Sequence, residues 1–294
     1  MGALNIDLLD HRLLFVTGKG GVGKSTVAAA LGALAADRGK RVVVAEVHQR
    51  KDVEHIVTAA GADHVSIDPQ EAMDEYLTDQ LPRALAEILS SSRAFSYLAA
   101  ATPGMRELLT VGKVWELAQD ERRTPGAAPY DLVVVDAPAT GHGVAMLAAP
   151  KTFADAAMAG PIARHAGIIH EMLSDPVRTA IVVVTTPQEM PVNETLALRE
   201  ALEQASGQRP ALVVVNGLRR HRLSPADAAA LQAHRDHPAV RAALAVHALA
   251  REQRVQLRRL RRRIGAPTVT LPFTPGGADT AAIARRLDQA LRSV

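Results

Sequence analysis

The 294-residue chain contains no cysteine, so disulfides, thiolate zinc sites, iron–sulfur clusters and cysteine nucleophiles are all excluded. Aromatic residues make up only 3%, against 48% hydrophobic residues in total. The core must therefore be built from Ala, Val and Leu, and so few aromatics argue against a protein that stacks RNA bases or sugars. Net charge is also scarce: 34 Lys and Arg against 31 Asp and Glu leave +3, which argues against polyelectrolyte behaviour of the whole chain. No apolar run is long enough to cross a bilayer. The start, MGALNIDLLDHR, has early acids, no small-residue cleavage site, and Ile6 where N-myristoylation needs Ser or Thr, so a cytoplasmic protein is expected.

What the chain does have is a series of Val-rich runs. They are LLFVT before Gly18, RVVVAE from Arg41, DLVVVDAP from Asp131, AIVVVTTP from Ala180, ALVVVNGL from Ala211 and PTVTLPF from Pro267. Each is continuously apolar, as strands are when helices cover both faces of a parallel sheet, and helical patterns separate them. The expected fold is α/β, a doubly wound and mainly parallel sheet forming one domain over 1–294. Two intervals exceed a simple crossover, 68–129 and 218–265, and read as helical insertions packed beside each other as a lobe. Within the first, helix is expected over Ala72–Leu89 and Met105–Leu117. Its apolar positions Met73, Leu77, Leu81, Leu85, Ile88, Leu89, Phe95 and Leu98 suit either core packing or a client groove.

The chemistry concentrates in VTGKGGVGKST, Val16 to Thr26, between a strand and a long Ala/Leu helix closed by Gly39. This is the phosphate-binding pattern G-x-x-x-x-G-K-[ST]. Gly18, Lys19, Gly20, Gly21, Val22, Gly23, Lys24, Ser25 and Thr26 would wrap phosphate oxygens with backbone N–H groups. Lys24 would reach the β- and γ-phosphates, and Ser25 would hold Mg²⁺. A second signal, VVVDAPATGHGVAML, puts Asp136 at the end of a buried strand, where a carboxylate can order Mg²⁺, with a mobile loop expected directly after it.

Lys19 makes the loop resemble the deviant Walker A of the ParA, MinD, nitrogenase iron protein and ArsA ATPases. That resemblance implies an ATP-binding homodimer in which Lys19 reaches across to the partner's nucleotide. The string Asp136-Ala-Pro-Ala-Thr-Gly-His142 is similar to the switch II of the ArsA family, the arsenite-pump ATPases and guided-entry factors for tail-anchored membrane proteins. PGMRELLTVGKVWELA, TTPQEMPVNETLALREAL, VVVNGL and LPFTPGG extend the similarity over nearly the whole chain. It implies ATP hydrolysis coupled to a protein client, Asn216 as an adenine reader, and Pro272 and Phe273 as cover for the base.

The departures from the family pattern are equally informative. Where the family carries D-P-A-H, with the Asp activating water, this chain has His48. Glu46 stands where ParA and MinD have the first acid of D-x-D, and Asp52 where the nitrogenase iron protein has its later acid. Any of the three can serve as the base, or the site can bind ATP and cleave it slowly. The family's metal-binding cysteines are replaced by AVHALAREQRVQLRRL, so neither zinc nor metalloid is expected, and His234, His237 and His247 read as solvated. Arg219-Arg220-His221-Arg222 and the helix Arg251–Arg263 are basic. In the helix, Leu257, Leu260 and Ile264 share one face, with Arg254, Arg258, Arg261 and Arg262 turned away. A solvated face is the simplest reading; a membrane surface or nucleic acid is the alternative. A ParA- or MinD-like positioning ATPase, or a scaffold that dimerises on ATP with little hydrolysis, are the competing functions.

Overall fold

The computed structural model describes residues 7–47, 53–80, 102–122, 126–156, 160–277 and 279–292. Seven parallel strands form one sheet: β1 (Leu13–Gly18), β2 (Val42–Val47), β3 (Asp63–Ile67), β4 (Leu132–Asp136), β5 (Thr179–Thr185), β6 (Leu212–Leu218) and β7 (Thr268–Pro272). Their order is β3-β2-β4-β1-β5-β6-β7. Six match the Val-rich runs. The seventh, β3, was not expected: Asp63-His-Val-Ser-Ile is a half-exposed edge strand, so it lacks the continuous apolar run of its neighbours.

Every residue of β1 is buried, with alternate side chains serving two cores. Leu14 and Val16 join Val44, Val134, Val182 and Val214 on one face, while Leu13 and Phe15 join Val43, Val133, Ile181 and Val213 on the other. The first face is covered by α1 (Lys24–Asp37), α2 (Glu54–Ala59) and α10 (Thr280–Leu291). Helix α1 lies close to the sheet because its buried side is mostly Ala and Gly. A Cβ at Gly32 would come within 2.5 Å of a Val44 methyl. The second face carries α4 (Met105–Leu117), α5 (Thr140–Ala156), α6 (Pro161–Ser174), α7 (Glu189–Ser206) and α9 (Pro238–Ile264).

The insertions correct one expectation. Helix α3 (Pro69–Gln80) pairs with α4, which packs on α5 and α6 at the β4 side, whereas α9 packs on α7, β6 and the short α8 (Pro225–Gln232). Among the described helices the two insertions thus dock at separate positions along one face, with α5 to α7 between them, because each follows its own apolar stripe to the nearest strands. Met73 is buried. Leu81, Leu85, Ile88, Leu89, Phe95 and Leu98 lie outside the described residues, and the side chain of Leu77 is likewise not described. No described helix is long and apolar enough to cross a membrane.

Candidate nucleotide site

Strand order reverses around β1: the chain leaves it for β2 on one side and later returns to β5 on the other. The carboxyl ends of strands at such a point are where an open α/β sheet leaves a crevice. The loop Gly18–Gly23 fills that position and leads into the N-terminus of α1. Gly18, Gly21 and Gly23 have φ of 147°, 78° and 94°, values that L side chains rarely adopt. A Cβ at Gly18 would overlap the Val184 carbonyl of β5, and one at Gly23 would sit 2.5 Å from the Asn216 amide nitrogen. The loop is therefore held from two neighbouring strands.

Within it, the Lys24 ammonium donates to the Lys19 carbonyl at 3.2 Å, curling back over the loop. Lys19 itself is ion-paired with Glu194 of α7, in the same chain. Ser25 and Thr26 occupy the first turn of α1, where orphan N–H groups and the helix dipole favour an anion.

Asp136 ends β4 and lies beside Val16 on β1 and Glu46 on β2. The two carboxylates are register partners and share the α1 face of the sheet. Glu46 is 1% exposed, and its Oε2 meets the His64 Nε2 of β3 at 2.7 Å. Its Oε1 has no hydrogen-bond partner among the described residues. One carboxylate oxygen is thus fixed by a histidine, and the other is buried without a hydrogen-bond partner among the described residues. His48 and Asp52, the other two candidates for the water-activating group, lie outside the described residues.

The segment after Asp136 differs from the mobile loop expected. Only Ala137 to Ala139 intervene before α5, whose first turn closes when the amides of His142 and Gly143 donate to the Ala139 carbonyl. Gly143 lets that turn settle on β1, since a Cβ there would lie 2.6 Å from the Thr17 hydroxyl oxygen. His142 is exposed, with its Nδ1 3.6 Å from Glu107 of α4. The stretch beside the phosphate loop therefore touches the first insertion directly.

The residues expected around a base do converge. Asn216 at the end of β6, Pro272 and Phe273 line a cavity of about 230 Å³ together with Leu271, Ile283 and Arg286. The Asn216 amide donates to the Val22 carbonyl at 2.9 Å, which ties the cavity to the phosphate loop and leaves its oxygen as an acceptor. Phe273 is half-exposed and carries the Arg219 guanidinium 3.9 Å above its ring centroid. Gln253 of α9 is buried at 4% exposure and clamps the exit of β6, accepting from the Arg219 amide at 2.8 Å and donating to the Gly217 carbonyl at 3.3 Å.

Glu194, His64 and Gln253 were not anticipated from the sequence, and Arg219 was expected only as part of a basic cluster. Of the first three, Gln253 left a trace, as a polar residue four before Leu257 on the apolar stripe of α9. For Mg²⁺, Ser25 and Asp136 offer a hydroxyl and a carboxylate, the hard oxygen donors that the ion prefers. No cluster of three His, Asp or Glu side chains suited to a metal occurs among the described residues.

The family model described as anion-transporting ATPase matches residues 11–160, from β1 through α5. The ATPase BagA of Mycobacterium tuberculosis is 34% identical over 254 residues, covering 79% of this chain and 73% of its own. The arsenical pump-driving ATPase of Acidiphilium multivorum is 28% identical over 235 residues, 70% of this chain and 39% of that longer protein. The ATPase ASNA1 homolog 2 of Paramecium tetraurelia is 28% identical over 150 residues, 47% of this chain and 44% of its own.

Proposed function

The chain belongs to the anion-transporting ATPase family, and from that premise we propose that it is a homodimeric ATP-driven switch of the ArsA and guided-entry type, acting on a protein client. The observation that carries this reading is Lys19, a second cation in the phosphate loop, held at the loop's edge by Glu194 and not folded inward as Lys24 is.

In this reading Lys24 and the loop amides bind the β- and γ-phosphates, and Lys19 crosses to the partner's nucleotide, where it offsets charge developing on the transferred phosphoryl. Mg²⁺ entering with ATP, held by Ser25 and ordered by Asp136, would neutralise phosphate charge. Asn216 reads the base edge with its remaining oxygen, and Pro272 and Phe273 cover the ring. Attack by water needs an acceptor at the end of β2. Glu46 is a candidate there because His64 fixes its orientation while its buried Oε1 has no hydrogen-bond partner among the described residues. The short link from Asp136 to α5 and the approach of His142 to Glu107 supply a route by which cleavage shifts the insertion and hence a client.

The test is steady-state phosphate release by the purified protein, with Lys24→Ala as the inactive control. In parallel, light scattering with a slowly hydrolysed ATP analogue and Mg²⁺ should report a dimer. Turnover by a protein that stays monomeric throughout would overturn the dimeric switch.

A further inference from the structure

Charge is distributed very unevenly along the chain. Residues 218–265 hold 12 arginines, no lysine and 3 acids, a formal +9 in a chain whose total is +3, so the remaining residues carry −6. Cations elsewhere on the surface are mostly paired: Arg38 with Asp7 and Asp288, Lys40 with Asp10, Lys113 with Glu75, Lys151 with Asp155. On α9, by contrast, Arg251, Arg254, Arg258, Arg261, Arg262 and Arg263 are all exposed, and none has an acidic side chain within ion-pair distance among the described residues. Like charges at this spacing repel and weaken a helix. Val255, Arg258, Arg259, Arg262 and Arg263 enclose a trough of about 450 Å³. The positive field reaches the loop after β6: the His221 imidazole is pushed below its usual range by desolvation first, and then by Arg254, His247 and Arg251.

Beside the arginines lies an unusual arm. From 225 to 249, through α8 and the first half of α9, no residue is buried, although 15 of these 25 are Ala, Leu or Val. Val246 is 43% exposed, and Val255 within the arginine stretch is 46% exposed. The apolar stripe of the second half, Leu257, Leu260 and Ile264, is spent on the core.

We propose that the arginine face of α9, with the arm before it, is a docking surface for a membrane containing anionic phospholipid. Guanidinium forks match phosphate geometry in pairs, and every cation of this stretch is an arginine. A phospholipid surface offers phosphates and, just beneath, an apolar layer for Val255, which lies among the arginines. Duplex nucleic acid offers the phosphates alone, with no apolar layer to receive the exposed Val255.

The experiment is co-sedimentation of the full chain with vesicles of phosphatidylcholine alone or with phosphatidylglycerol added, across a salt series. Binding only to the phosphatidylglycerol vesicles, weakening as salt rises, is expected. At about 1 kcal/mol per arginine at such a surface, Arg258→Gln with Arg262→Gln should weaken binding about thirtyfold while phosphate release is unchanged. Removing two paired cations elsewhere, Lys151→Gln with Lys40→Gln, should change it by less than about threefold, since neither lies on α9. Equal binding to both vesicle types, no binding to either, or equal losses from the two double variants would each overturn the proposal. Displacement from vesicles by a 20-base-pair duplex at a lower concentration than lipid phosphate would overturn it in favour of nucleic acid.

Discussion

Lys19 and Glu194 form an ion pair that joins the phosphate loop to α7 within a single chain, with both side chains 36% exposed. A pair so exposed contributes no more than about 1 kcal/mol, so a triphosphate presented by a partner subunit can compete for the ammonium. Glu194→Gln removes the competitor. It should tighten dimerisation with a slowly hydrolysed ATP analogue by up to about fivefold, read by analytical ultracentrifugation. Weaker dimerisation would mean that Glu194 serves the interface itself.

The acceptor for the attacking water can be sorted by three substitutions. Glu46→Gln or Asp52→Asn should lower kcat about a hundredfold or more, the usual cost of losing a general base, and His48→Ala about tenfold. An imidazole beside a γ-phosphate tends to gain a proton and act as a charge stabiliser. A hundredfold loss at His48, with both carboxylate variants near wild type, would reverse the assignment.

The base cavity makes a separate prediction through Phe273. Losing an aromatic face removes about 0.5–1.5 kcal/mol beyond its area, so Phe273→Ala should raise the Kd for ATP roughly threefold to tenfold. Gln253→Ala should act in the same direction from a distance, by freeing the Gly217 carbonyl and the Arg219 amide. Titration with a fluorescent ATP analogue reads both. An unchanged Kd in Phe273→Ala would remove the base from this cavity.

His170 on α6 supplies a pH dependence. Its imidazole is held below the usual range, by desolvation first and then by the Lys151 ammonium, with Asp155 acting the other way. The unfolded chain therefore binds this proton more readily, and stability should fall as pH drops through the ordinary histidine value of 6.5 towards the folded one. Thermal melts between pH 7.5 and 5.5 should show the decline, and His170→Gln should make it shallower. An identical slope in the variant would show that this residue does not contribute.

Much of the architecture could be read in the sequence because its signals are local. A buried parallel strand shows itself as a run such as VVVD, and Gly-Lys-Ser after a strand announces the start of a helix at a phosphate site. The edge strand Asp63–Ile67 was hidden because its half-exposed side chains break that run. The short, helical start after Asp136 was hidden for another reason: Gly143 docks on Thr17, a contact across 126 positions that no local pattern encodes. The partners that aim the candidate site residues share this feature. Glu194 lies 175 positions from Lys19 and Gln253 lies 34 from Arg219. Each contact exists only once the sheet order brings two elements together.

The central claim, that Lys19 acts on the nucleotide of the partner subunit, is tested most directly by mixing two defective proteins. Lys24→Ala loses the lysine that binds its own phosphates, and Lys19→Ala, lacking a cation of the arginine-finger kind, should lose about a thousandfold in turnover. In a mixed dimer the Lys19→Ala protomer keeps an intact Lys24 and receives Lys19 from its neighbour, so one site is restored. Random pairing of equal amounts should then recover about one quarter of wild-type phosphate release, since half the symmetric dimers become mixed and each has one working site. A mixture no more active than the two proteins measured apart, or a Lys19→Ala protein no slower than Lys40→Ala, would contradict the account.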